Sequence, residues 1–109
     1  MSAKTLLIHC SCPDRDQAEQ IAERLIAEHL AACVSITAPV TSLYTWKGTV
    51  QREQEVLLLI KSGAGRYAAL QQRLLALHPY ELPEIIAVPV EQGLPGYLAW
   101  IEQCTNTEN

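Results

Sequence analysis

The chain has 109 residues, enough for one domain with one core. Its 49% apolar and 18% charged residues exclude an intrinsically disordered chain, and the absence of Phe leaves Leu, Ile, Val and Ala to fill the core. The net charge of -4, with no cluster of Lys or Arg, excludes an ordinary nucleic-acid binder, and the longest uncharged apolar run, Val56 to Ile60, is too short to span a bilayer.

The N-terminal run Thr5 to Ile8 after Lys4 is too short for a signal-peptide core, so a cytoplasmic location is expected. The same reasoning makes the four cysteines (Cys10, Cys12, Cys33 and Cys104) reduced thiols, most of them small buried hydrophobes. Their spacings do not match the CxxC pairs of structural zinc sites.

In chain order, the β-branched and aliphatic run Thr5 to Cys10 predicts a first strand, stopped at Pro13-Asp14. Asp14 is a helix N-cap candidate with Gln17 three residues on. Ala18, Ile21, Ala22, Leu25, Ile26 and Leu30 then recur at the spacing of one buried helical face, with Glu19, Glu23 and Arg24 opposite. Cys33 to Trp46 predicts a long strand interrupted at Pro39, which must be a bulge, bend or edge because proline donates no ladder hydrogen bond. Lys47-Gly48 supplies a turn, and Val50 to Lys61 returns as a strand. Ala64 to Leu77 predicts a second helix and Glu84 to Val90 a fourth strand. A loop at Gly93 to Gly96 leads to a short helix over Tyr97 to Gln103, and residues 104–109 are expected to fray.

The order β-α-β-β-α-β plus a terminal helix is that of an α+β, ferredoxin-like sandwich, with a long hairpin between its second and third strands, forming one domain over 1–109. Such a sheet carries helices on one face. Val56 to Ile60, Leu6 to Ile8 and Ile85 to Val88 are nevertheless apolar on both faces. Strands of that kind are normally covered on both sides, and each buried Leu is worth about 1.5–3 kcal/mol. A homo-oligomer is expected.

Several segments are similar to the CutA divalent-cation-tolerance family: Leu30 to Val34, Ser42 to Gly48, Glu55 with Lys61, His78-Pro79-Tyr80, Pro83-Glu84-Ile85 and Tyr97 to Trp100. They run in order over nearly the whole chain. The resemblance implies a homotrimer with an architecture like that of the PII signalling proteins, a cytosolic location, and a role in tolerance of copper and other divalent metals. It also implies copper ligands at a cysteine ending the first strand, matched by Cys10, and at two adjacent histidines before Pro-Tyr. His78 matches the second of these, and Leu77 stands in place of the first.

A thiolate and an imidazole suit copper or zinc, but a tight site usually takes three or four ligands. Strand alternation puts His9 on the face opposite Cys10 and Cys12 on the same face, which makes Cys12 a third candidate ligand. The competing reading is two ordinary strand-end cysteines and a histidine capping a helix. Tyr44, Trp46, Glu55, Lys61, Tyr80 and Glu84 form a second candidate constellation, either lining a cleft between subunits or fixing an interface. Within it, Lys61 is expected to meet Glu84, while Glu55 and Lys61 share a face without touching.

No GxGxxG fingerprint, P-loop or glycine-rich oxyanion loop occurs, so no organic cofactor and no enzyme are expected. The leading expectation is a metal-responsive trimer. Its rivals are a PII-like sensor of a small anionic or nucleotide-like ligand and a scaffold for another protein.

Overall fold

The computed structural model describes residues 4–106. Five strands and three helices follow in the order β1 (Thr5–Cys12), α1 (Arg15–Ala27), β2 (Cys33–Ile36), β3 (Val40–Trp46), β4 (Thr49–Gly63), α2 (Tyr67–Leu77), β5 (Ile85–Pro89) and α3 (Pro95–Thr105). The sheet order β2-β4-β1-β5, with every neighbouring pair antiparallel, is the ferredoxin-like arrangement.

The interrupted strand expected over 33–46 is two strands. β2 pairs with the C-terminal part of β4 (Cys33 opposite Lys61) and β3 with its N-terminal part (Val40 opposite Glu55). The break lies at 37–39, where Pro39 withholds a donor. Thr37 bridges it: its N–H donates to the Leu57 carbonyl at 3.0 Å and its hydroxyl accepts from the Leu57 N–H at 3.0 Å.

β3 and β4 form the long hairpin, closed where Trp46 faces Thr49. Lys47 (φ 52°) and Gly48 (φ 80°) both occupy the left-handed region, as a two-residue turn matched to strand twist requires. A Cβ at Gly48 would meet nothing within 4 Å, so Gly48→Ala would act through backbone strain alone. It is expected to cost about 1–2 kcal/mol in denaturant unfolding; an unchanged midpoint would show that the tip does not hold this turn.

Asp14 caps α1 as expected, accepting from the Gln17 N–H at 2.8 Å. The helix stops at Ala27, before Leu30. His29 turns left-handed (φ 57°), and the Leu30 N–H reaches back to the Leu25 carbonyl at 2.9 Å in a Schellman-type ending. Leu30 is therefore buried although it lies outside the helix, whereas Ile26, expected on the buried face, is exposed. A 3-10 turn over Ala64–Arg66 precedes α2. α3 is longer than expected and includes Cys104 and Thr105, the first residues of the expected frayed tail. The buried Thr105 hydroxyl donates to the Ile101 carbonyl at 3.0 Å, and a Cβ on Gly63 would stand 3.0 Å from that hydroxyl. Residues 107–109 of that tail lie outside the described residues.

The core fills one side of the sheet. Ile8, Cys10 and Cys12 from β1 and Val56, Leu58 and Ile60 from β4 meet Ala18, Ile21 and Leu25 of α1 and Leu70 and Leu74 of α2. Alternation sends Leu7, His9, Leu57, Leu59, Ile86 and Val88 to the other face, where Ile86 is 55% and Val88 46% exposed. The hairpin gives the chain extents of 45 × 26 × 24 Å and a radius of gyration of 14.5 Å, above the ~13 Å of a compact domain of this length.

Candidate metal centre and adjoining pocket

Cys10 and Cys12 point to the same side of β1 because residues two apart on a strand share a face. His78 reaches them from the end of α2, whose last turn it closes by donating its N–H to the Leu74 carbonyl at 2.9 Å. The ligand atoms of Cys10, Cys12 and His78 lie within 4.8 Å of one another, and all three residues are buried. Helix capping and convergence on the cysteines thus hold together for His78. Leu77, where a second histidine is absent, packs against the core. Cys33 and Cys104 are half-buried, unlike the two β1 cysteines, and all four are free.

Both ring nitrogens of His78 have protein partners. The Tyr80 N–H donates to Nδ1 at 3.1 Å, so the ring proton sits on Nε2, which donates to the Ser11 carbonyl at 2.7 Å and lies 3.9 Å from the Cys12 Sγ. The cysteines divide their roles. The hydrogen bond from Cys10 lowers the Cys12 pKa to about 6, and the contact with His78 adds to this against the opposing effect of burial. The same hydrogen bond, together with burial, pushes the Cys10 thiol far up. Burial opposes charging His78, but its bonds to Cys12 and the Ser11 carbonyl outweigh it and raise its pKa. The pair is thus biased toward losing its first proton from Cys12 and keeping the one on Cys10.

The donor set fits a soft metal ion. With metal–thiolate bonds of ~2.3 Å, one ion spans sulfurs up to about 4.6 Å apart, and no two of the three ligand atoms are more than 4.8 Å apart. Ligation by His78 Nε2 would in addition require its proton to leave and the Tyr80 contact at Nδ1 to change. The thiols are therefore the ready ligands and the imidazole a conditional one.

Beside this cluster lies a pocket of about 670 Å³ whose lining includes Tyr44, Trp46, Glu55, Tyr80 and Glu84. Five of the six residues of the second constellation are thus brought together. Lys61 is not: its ammonium lies 3.7 Å from the Cys33 Sγ, on the β2 side, and the expected contact with Glu84 is not formed. The reason is register. Lys61 sits opposite Leu7, whereas Glu84 precedes Ile85, which faces Cys10 further along β1. Glu81 and Ser11 also line the pocket and were not singled out from the sequence. Glu81 adjoins the His78-Pro79-Tyr80 segment, and Ser11 lies between the two β1 cysteines. Tyr80 joins the two sites: its backbone fixes His78, and its hydroxyl donates to the Glu55 carboxylate at 2.8 Å. Burial and then that carboxylate raise the Tyr80 pKa.

The sequence pattern of the family described as "CutA1 divalent ion tolerance protein" matches residues 6–104. The divalent-cation tolerance protein CutA of Thermus thermophilus is 44% identical over 85% of this chain and 90% of its own length. Protein CutA of Mus musculus is 42% identical over 89% of this chain, which spans only 55% of the mouse protein. Among solved structures, CutA from Xylella fastidiosa superposes with a TM-score of 0.92 at 46% identity, covering 95% of this chain and 100% of its own. CutA1 from Shewanella sp. SIB1 gives 0.94 at 39% identity, covering 98% and 100%. The fold agrees with these relationships, and the chain belongs to the CutA1 divalent ion tolerance family.

Proposed function

We propose that the chain acts as a homotrimer that takes up copper, as Cu(I), at Cys10 and Cys12 with His78 as auxiliary ligand, and so takes part in the response to divalent and soft metals. The observation that carries this reading is the buried convergence of two thiols and an imidazole within 4.8 Å. Thiolates select soft ions such as Cu(I), and a cytosolic location would keep both thiols reduced. The role is binding and signalling to a partner rather than catalysis, because His78 contacts Cys12 through a nitrogen already engaged by Ser11. Trimer formation is supported by the apolar sheet face bearing Ile86 and Val88 and by the projecting hairpin.

The test is a titration of the reduced, metal-free protein with Cu(I) against a competing chelator. One ion per chain is expected, with binding lost in the double variant Cys10→Ala/Cys12→Ala. Equal binding by that variant would remove the metal role. The PII-like alternative with an anionic ligand has less support, because Lys61 lies away from a pocket lined by carboxylates.

A further inference from the structure

Cys10 and Cys12 are also placed to react with each other. Only Ser11 separates them on β1, and both side chains point to the core side of the sheet. Their sulfurs share a hydrogen bond and lie no more than 4.8 Å apart. Strand residues so related have Cα atoms about 6.6 Å apart, near the upper end of the ~4.4–6.8 Å that a disulfide spans. The backbone has room to yield there. β5 accompanies β1 only as far as Cys10, opposite Ile85, so Ser11 and Cys12 are paired on the β4 side alone, and the strand ends before Pro13. The other two cysteines are placed elsewhere: the Cys33 sulfur faces the Lys61 ammonium at 3.7 Å, and Cys104 lies on α3.

We propose that the Cys10–Cys12 pair is a reversible two-electron redox switch, closed to a disulfide by hydrogen peroxide and reopened by a dithiol, and that closure shuts off metal uptake. Loss of metal uptake rests on the metal role proposed above, whereas disulfide formation stands without it.

Cys12, the sulfur 3.9 Å from His78 Nε2, attacks one peroxide oxygen. The O–O bond breaks, a sulfenic acid forms on Cys12, and the other oxygen leaves as water with the Cys12 thiol proton. The Cys10 sulfur then attacks the Cys12 sulfur. The S–S bond forms, the S–OH bond breaks, and the hydroxyl leaves as a second water with the Cys10 proton. Each sulfur gives up one electron, and both peroxide oxygens are reduced. Both sulfurs are fully buried, which restricts the oxidant to a small one. Any ion taken up at the cluster must reach the same sulfurs, and hydrogen peroxide, little larger than water, needs no wider path. A span near the geometric limit strains the closed form, which makes it more readily reduced.

The test is peptide mapping of the full-length, metal-free wild-type protein after peroxide treatment, with N-ethylmaleimide trapping in denaturant and tryptic digestion without reductant. Cleavage after Lys4 and Arg15 puts both cysteines in the one peptide Thr5–Arg15 and leaves Cys33 and Cys104 in others. That peptide is expected to be lighter by two hydrogen atoms and to carry no maleimide, where untreated protein carries two. Dithiothreitol should restore both thiols. The oxidised protein is expected to bind Cu(I), titrated without oxygen, at least a hundredfold more weakly than the reduced protein. Two maleimides retained after peroxide, oxygen atoms added to the peptide instead, or a crosslink to Cys33, Cys104 or a second chain would each overturn the switch. A disulfide that forms with Cu(I) binding unchanged would overturn the closure of metal uptake. If the reduced protein binds no Cu(I), the metal role falls, and the peptide mass alone still decides the disulfide.

Discussion

Cys12→Ala and Cys10→Ala are each expected to weaken Cu(I) binding by about a hundredfold or more, and His78→Ala by only about tenfold. A hundredfold loss corresponds to ~2.7 kcal/mol, reasonable for deleting one of two thiolate ligands. The smaller figure for His78 follows from its bonding. Nδ1 accepts from the Tyr80 N–H and Nε2 donates to the Ser11 carbonyl, so the gain from ligation is offset by the bonds it breaks. Competition against a chelator of known affinity measures all three values, and a His78 effect larger than either cysteine's would show that the ring reorients to bind.

The same titration has a pH signature. Only thiolates bind the ion, so each thiol still protonated must release its proton on binding. With the Cys12 pKa lowered to about 6 and that of Cys10 pushed far up, the thiols release two protons per ion below pH ~6 and one above it. Affinity should therefore rise by roughly two decades per pH unit below pH ~6 and by roughly one above it. Calorimetry in buffers of different ionisation enthalpy counts the protons directly. Two protons at pH 7.5 would mean that Cys12 is an ordinary thiol.

Much of the fold was legible because local signals agreed. The Asp14 cap, the Lys47-Gly48 turn and the doubly apolar Val56 to Ile60 segment each fix an element through their own chemistry. The misreadings occurred where long-range pairing decides the outcome. Pro39 announced a disturbance, but nothing local indicated that β3 would take a different stretch of β4 from β2. Ile26 fits the helical period, yet the left-handed turn at His29 places Leu30 in the core while Ile26 stays at the surface.

At the site, period-two alternation was enough to join Cys12 to Cys10, and the order of the segments brought His78 nearby. The placement of Lys61 depended on strand register, which its sequence neighbourhood does not encode. Nor could the sequence reveal that Tyr80 would donate to Glu55, since that contact joins residues 25 apart through the fold.

Ile86→Asp/Val88→Asp is expected to convert the protein from a species of three times the 12.1 kDa chain mass into one that sediments as a monomer or unfolds. The two side chains are 55% and 46% exposed in the isolated chain and share a face with Leu7, Leu57 and Leu59. β5 is also an edge strand, so its outer backbone groups are free to pair with another chain. If the chain were monomeric, exchanging two exposed residues for aspartate would change stability by only about 0.5 kcal/mol each. On a face covered by a neighbour, each buried and unpaired carboxylate would cost several kcal/mol, enough to separate the subunits. Sedimentation of the wild-type protein and the variant at micromolar concentration separates the two cases. A wild-type monomer, or a variant that keeps the wild-type mass and stability, would mean that this apolar face is not where copies of the chain meet.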